Sequence, residues 1–455
     1  MHNSAAALAP IRDMHNSAAA LAPIVAKQER EPLIGLAALM TMAFRGIDLT
    51  PLGQRLIERA DADPEDANAL MDLSIVLQLK QTPDIGIAVQ AQALQVQQLY
   101  HLPARGGAAA IRLLAIMAPG DLMANTPLEF LLQDSDVALD MLYVVPGMPI
   151  PPLPEHDLII VAACESDSNQ ALLQGLALRE RSWHCPVLNL PARIARTGRE
   201  AAHALLESAP GVCIPVSVRI SRQALRRVCS RKLALADVLQ DGSFPIIIRP
   251  VDSHAGHGLM KIDAPEDLDA YLQAMPEAEF VISHFVDYRS EDGLYRKYRV
   301  VLIDGKPYAG HMGISTQWMI HYLNAGMSES ADKRAEEAQF MAGFDAGFAR
   351  RHADALRAIA ARLELDYVVI DCGETRDGAL LVFEVDTGAV VHSMDPVDLF
   401  PYKRAQMQRV FAAFRGLLSR ALQGGRKFEH DLQASGAPAC ARKFDVVADA
   451  LAPNA

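Results

Sequence analysis

Three acidic residues near the C-terminal end of the chain are spaced for shared chemistry. In FEVDTGAVVH, residues 383–392, Glu384 and Asp386 close an apolar run, GALLVF, that follows a turn signal at Asp377 and Gly378. That pattern predicts a strand leaving a hairpin, and a strand's two-residue period turns both acids to one face. Carboxylates held so close need a cation, a shared proton or open water. A third acid, Asp371 in DYVVIDCGE, is brought alongside by a hairpin through TRDG. Hard oxygen ligands of this kind suit magnesium, which fills its remaining positions with phosphate oxygens and water. The plainer alternative is a solvated edge strand with its polar residues outward.

Cationic candidates lie upstream. FPIIIRPVDSHAGHGLMKI delivers Arg249 from a buried strand into a loop containing Gly256 and Gly258. Small residues let backbone amides approach phosphate oxygens, and a guanidinium adds a charge-assisted fork. The stretch is not a Walker loop, because GxxxxGK[ST] is absent and the loop leads to a strand. A plain hairpin turn explains it equally well. In KYRVVLIDGKPYAGHM, Lys297 and Arg299 alternate with apolar residues and share one strand face, as a functional pair or as an exposed edge paired with acids. The next segment, ISTQWMIHYLNAGM, holds Trp318, His321, Tyr322 and Asn324.

These candidates sit in a chain of 455 residues, long enough for two to four domains. With 51% hydrophobic and 22% charged residues it has a globular composition, and its net charge of −12 argues against general binding to nucleic acid or anionic membranes. Six cysteines at 164, 185, 213, 229, 372 and 440 form no CxxC pair, which suits a reducing compartment. Apolar stretches such as LIIVAAC are too short to span a bilayer, and no secretory leader is evident, so a cytoplasmic location is expected. MHNSAAALAPI occupies 1–11 and recurs at 14–24, so residues 1–29 read as a duplicated start or an expression scar, expected to be disordered.

Helical spacing predicts an all-α region over 30–134, interrupted at Pro64, Pro83, Pro103 and Pro119. Within it, Leu70, Leu73 and Leu77 on one helix, Ala88 and Ala91 on the next, and a closing Pro103 resemble a tetratricopeptide unit, whose groove would take a protein or peptide partner. A plain helical cap is the alternative. Strands and helices then alternate, predicting a small parallel-sheet domain over 135–211. A further α/β unit over 212–424, split at about 286 and 287, precedes a loosely ordered tail at 425–455.

Taken in order, the pieces over about 137–420 resemble the ATP-grasp superfamily, in particular its glutathione synthetase and ribosomal-protein glutamate ligase group. VLNLPARIARTGREAAHALLESAPGVCIPVSV looks like the end of the family's first domain, FPIIIRPVDSHAGHG like its phosphate-covering strand and glycine loop, and EFVISHFVDY like its adenine hinge. RKYRVVLIDG is similar to the arginine-bearing strand, NAG at 324–326 to the loop near the transferred phosphate, and DYVVIDCGETRDGALLVFEVD to the magnesium hairpin. The resemblance implies an α+β and α/β architecture with an ATP-grasp fold behind a pre-ATP-grasp domain. It implies ATP held by Arg199, Arg249, Gly256, Gly258, Ile282 and Val286, and one or two magnesium ions on Asp371, Glu384 and Asp386. It further implies catalysis by Arg299 and Asn324, with substrate contacts at His311 and His321. The activity implied is ATP-dependent joining of a carboxylate to an amine through an acyl phosphate, on an amino acid, a peptide or a peptide-like small molecule. A kinase on the same fold, and a nucleotide-responsive scaffold without catalysis, are the alternatives. A homo-oligomer is left open. Where the family usually has Lys, this chain has Arg199 and Arg249, and Asp386 stands where Asn is usual. Arg keeps the charge but changes the geometry.

Overall fold

The computed structural model describes residues 30–178, 183, 185–253 and 256–434, with side chains through residue 424. The segment 1–29 and the tail beyond 434 lie outside the described residues. The chain opens with α1 (Leu36–Phe44), α2 (Thr50–Ala62), α3 (Ala67–Leu79) and α4 (Pro83–Val96). Proline in the first turn starts α2 and α4, and the Asp66 side chain caps α3 by accepting from Ala69 N at 3.0 Å. Most of α3 is buried, as a helix at the centre of a bundle must be. Gly86 lets α4 lie close against it, since a Cβ there would stand 2.7 Å from the carbonyl oxygen of Ser74.

Two carboxylates hold the entry to α1, Asp72 from within the helical front and Glu129 from beyond it. Asp72 accepts from the amides of Ile34 at 2.9 Å and Gly35 at 3.0 Å, and Glu129 accepts from Leu36 at 3.0 Å and Ala37 at 2.8 Å. Four successive N–H groups entering α1 are thereby satisfied without water.

The all-α region expected to reach residue 134 ends at Val96. Beyond it come β1 (Leu99–Leu102) and β2 (Ile111–Met117), so Pro103, expected to close a helix pair, follows a strand instead. A seven-residue apolar run such as IRLLAIM has no periodicity that separates a buried strand from a buried helix segment. After α5 (Leu128–Leu131), β3 (Val137–Tyr143) and β4 (Leu158–Val161) come α6 (Gln170–Ala177), β5 (Val187–Leu188), α7 (Pro191–Ile194) and α8 (Arg199–Leu206). The sheet runs β1-β3-β2-β4-β5, parallel except for β1.

The remainder supplies β6 (Val212–Cys213), β7 (Ser217–Ser221), α9 (Arg222–Cys229), β8 (Ile246–Pro250), β9 (Met260–Ile262), α10 (Asp267–Ala274) and β10 (Glu279–His284). It continues through β11 (Tyr295–Ile303), β12 (Lys306–Ser315), α11 (Ala331–Ala342), α12 (Phe348–Arg351), α13 (Ala353–Leu363), β13 (Tyr367–Glu374), β14 (Leu380–Asp386) and α14 (Lys403–Ala434). Two sheets result, an antiparallel β7-β10-β8-β9 and a β12-β11-β13-β14-β6 in which only β6 pairs in parallel. The expected mixed architecture is therefore observed: a small, largely parallel sheet followed by two separate sheets. Two details differ. β6 opens the segment expected to form the first of the two sheets yet pairs with β14 of the second, and α14 reaches Ala434, ten residues into the segment from 425 expected to be loosely ordered.

Burial raises the Asp72 carboxyl to about 6 and that of Glu129 to about 7, against the pull of the amides they accept from. An acid whose folded pKa lies above its unfolded one binds its proton more tightly in the fold. Its contribution is full below about pH 4.5 and is lost as pH rises through 7. Glu129→Gln should therefore remove roughly 3 kcal/mol of the decline in stability between pH 4.5 and 8. Parallel pH profiles for the variant and the parent in urea denaturation would contradict this.

Candidate functional site

Pairing in the second antiparallel sheet sets Arg299 on β11 opposite Asp371 on β13, and Asp371 opposite Glu384 on β14. Register shifts follow both Arg299 and Asp371 in these ladders, locally re-aiming the side chains. Arg299 grips Asp371 with a fork, Nε to Oδ1 at 2.8 Å and Nη2 to Oδ2 at 2.9 Å, and its Nη1 donates to the Val390 carbonyl at 2.9 Å. Lys297 Nζ reaches Asp371 Oδ2 at 2.7 Å.

Glu384 gathers cations from two other parts of the chain. Arg199, in the first turn of α8, donates Nη2 to Glu384 Oε2 at 2.5 Å and Nη1 to the Phe383 carbonyl at 3.2 Å. Arg249, from β8, stands 3.9 Å from the same Oε2, and its Nε donates to Ser253 Oγ at 2.9 Å. The site thus lies where the small domain and the two following sheets meet.

Electrostatics follow from that geometry. Burial alone would raise Asp371, but Arg299 and Lys297 hold its carboxyl far below the ordinary carboxylate range. Burial likewise raises Glu384, and Arg199 with Lys297 and Arg249 brings it down to about 2. Arg249, only 11% exposed, is lowered to about 10 by burial and by the like charge of Arg199. Its one carboxylate neighbour among the described residues, Glu384, is distant and shared with Arg199.

Asp371, Glu384 and Asp386, expected to share magnesium, lie on the paired strands β13 and β14. Among the described residues no three His, Cys, Asp or Glu side chains converge to share one metal ion. The reason is local: both oxygens of Asp371 are engaged by Arg299 and Lys297, so it acts as their counter-ion. Glu384 and Asp386 remain, alternate residues of β14 with buried Val385 between them. Two carboxylates suffice for magnesium when phosphate supplies further ligands.

The other predicted residues divide. Gly256 and Gly258 adopt φ of +76° and +61°, and a Cβ on Gly258 would lie 2.6 Å from Pro250 Cδ, so this loop needs glycine. Ile282 is fully buried in the core of the first antiparallel sheet, with backbone paired on both sides. Val286 is partly buried beside Tyr288, and Phe285 meets Trp318 edge-on at 5.7 Å. His311, opposite Arg299, packs against Tyr322 with the two rings tilted and their centroids 4.6 Å apart. Burial and nearby Arg299 hold its pKa well down, and burial and Lys297 lower that of His321. The Asn324 side chain accepts from His321 N at 3.1 Å, closing its own turn.

That turn is anchored by a buried ionic cluster. Glu337 on α11 accepts from Tyr322 Oη at 2.9 Å, Tyr402 Oη at 2.7 Å and Met312 N at 3.0 Å. Lys403 on α14 completes it, donating to Tyr322 Oη and lying 3.5 Å from Glu337 and 3.3 Å from Asp395.

Several neighbours escape sequence reasoning. Glu165 follows β4 and is raised to about 7 by burial and by Asp252 and Asp167, with Arg199 pulling the other way. Its one signal is position, at the carboxyl end of a parallel strand, where ligands collect. Arg219 on β7 clamps Asp167 at 2.6 and 3.0 Å and Glu279 at 2.5 Å, closing the small domain onto the first antiparallel sheet. Phe44 of α1 packs on His392 at 5.5 Å, bringing the helical front against the loop after β14.

No protein-family model and no curated protein matches the chain. Solved structures similar to it include the VanG D-Ala:D-Ser ligase from Enterococcus faecalis, at 15% identity and TM-score 0.41 over 68% of this chain and 99% of that one. The D-alanine-D-alanine ligase from Coxiella burnetii is similar at 11% identity and TM-score 0.43, over 72% and 99%. D-alanyl-alanine synthetase A from Vibrio cholerae gives 11% and 0.40, over 69% and 99%. Identities and TM-scores this low leave the chemistry to be read from this chain's own residues. Among the described residues no helix is long and apolar enough to cross a membrane.

Replacing Lys403 by Met leaves Glu337 and Asp395 without their buried cation, so a loss of about 3–5 kcal/mol is expected, with Lys403→Arg milder. Equal denaturation midpoints for Lys403→Met and the parent would show that the cluster does not anchor the turn.

Proposed function

We propose that the chain is an ATP-dependent ligase that joins a carboxylate to an amine through an acyl phosphate, on an amino acid, a peptide or a peptide-like small molecule. The observation that carries this reading is Arg249: a guanidinium 11% exposed, whose one carboxylate neighbour, at 3.9 Å, is already held by Arg199 at 2.5 Å. Two cations sharing one acid leave positive charge that an anion of the size of a polyphosphate would neutralise.

In this reading Arg199, Arg249 and the amides of the Gly256/Gly258 loop hold the phosphates. The adenine lies toward Val286, Phe285 and Trp318. Glu384 and Asp386 would hold a magnesium ion, which would supply neutralising positive charge beside the phosphates. Arg299 has five N–H donors, of which three are spent on Asp371 and Val390, so two remain for an acyl phosphate. Lys297 likewise keeps donors beyond the one given to Asp371. Asp371 therefore orients the two cations and takes no proton from substrate. Fixed donors aimed at developing charge are the main catalytic requirement in phosphoryl transfer. In the same reading His311 and His321, both lowered by burial, and Asn324 would contact the substrate carboxylate and amine. Closure of the glycine loop would keep water from the acyl phosphate.

A second reading is a scaffold that binds nucleotide without turnover, favoured by the complete ion pairing of Asp371. Incubation with ATP, magnesium and a panel of amino acids and short peptides separates the two. The ligase releases phosphate only with both an acid and an amine, and mass spectrometry finds a product lighter by one water than its parents. Tight ATP binding with no phosphate release across the panel would favour the scaffold. Arg249→Ala should weaken ATP binding about tenfold or more by calorimetry, and an unchanged affinity would remove the observation on which the proposal stands.

A further inference from the structure

A concave surface of about 440 Å³ opens between the β11–β12 turn and helices α12, α13 and α14. It lies away from the site described above. Lys306 pairs with Ile303, four residues along β11 from Arg299, which is roughly 13 Å of strand. Four cationic side chains from four elements line it, Lys306, Arg350, Arg357 and Arg409, against one lining acid, Asp345. Asp345 is taken by Arg409 at 2.8 Å, and Arg357 pairs with Asp354 at 2.7 Å. Among the described residues Lys306 and Arg350 have neither an ion pair nor a side-chain hydrogen bond. Between the cations the floor is apolar, built from Pro307, half-buried Tyr308 and fully buried Leu356.

We propose that this groove is a second ligand site, for a small molecule bearing a phosphate or carboxylate group on an apolar body. Lys306 and Arg350 would take the anion, and Pro307 and Tyr308 would cover the body. The reasons are three. The volume falls within the range of small-molecule sites. Unpaired Lys and Arg side chains facing one concavity favour an anion, and the guanidinium fork matches a planar carboxylate or two phosphate oxygens. A chain of net charge −12 has no general affinity for polyanions, so a local cationic excess selects a compact anion and not a nucleic acid. This inference rests on the groove's own residues; its test takes from the proposed function only the use of ATP to block the Arg199/Arg249 site, and the segment-specific amide shifts below report on the groove whether or not ATP binds.

Phenyl phosphate, benzoate and inorganic phosphate are suitable probes, added to the full chain with saturating ATP so that the nucleotide site is occupied. Saturable binding of phenyl phosphate or benzoate is expected by calorimetry, about tenfold tighter than inorganic phosphate and weakened by salt. Comparison of the two aromatic probes tells whether phosphate or carboxylate is preferred. The Lys306→Gln/Arg350→Gln double variant should lose at least tenfold of this affinity while binding ATP as the parent does. Backbone amide shifts in the parent supply a readout that needs no variant: the probe should move 304–309 and 349–357. Absence of saturable binding, unchanged affinity in the double variant, or shifts that spare those two segments would each overturn the proposal.

Discussion

The ion pair of Asp371 with Arg299 and Lys297 is the constraint around which the site is built. A carboxylate with a side chain only 2% exposed cannot stay charged without compensation, and two cations within 2.7–2.9 Å supply it. The fork fixes the Arg299 guanidinium, and the fixed guanidinium holds the Val390 carbonyl, so the loop after β14 is placed by the same contact. Cation, counter-ion and loop behave as one unit. This also explains why Asp371 is unavailable as a third metal ligand.

Separate parts of the chain are joined by polar groups that are buried or nearly so. Asn189, at the end of β5, donates from its amide to the Tyr367 carbonyl at 2.9 Å and accepts from the amides of Asp366 and Tyr367 at 3.0 and 2.9 Å. One side chain thus substitutes for a short stretch of strand pairing between the parallel sheet and β13. Arg199 and Arg249 meet at Glu384, and Arg219 ties Asp167 to Glu279. Polar junctions of this kind fix direction, which apolar packing alone does not.

The helical front belongs to the same system. Asp72 and Glu129 set the entry of α1, and α1 ends at Phe44 against His392 in the loop whose Val390 carbonyl Arg299 holds. Burial keeps His392 neutral, with a pKa near 4, as suits an imidazole packed between the rings of Phe44 and Phe130. The front is therefore a wall against this loop. The closing proline expected of a tetratricopeptide unit is displaced from the helix pair by β1.

Local periodicity was enough to read alternating strands and helices beyond about residue 135, the hairpin that sets Asp371 beside Glu384, and the shared strand face of Lys297 and Arg299. Each depends on neighbours close in sequence. Apolar runs in β1 and β2 carry no period that marks them as strands, so their place in the sheet depends on partners as far as about forty residues away. The charge state of the site was beyond sequence reasoning for the same cause. Whether an acid holds a metal, or neutralises an arginine, depends on which cation the fold brings within 3 Å. Arg199, Lys297 and Glu165 come from three distant stretches, and only tertiary packing puts them together.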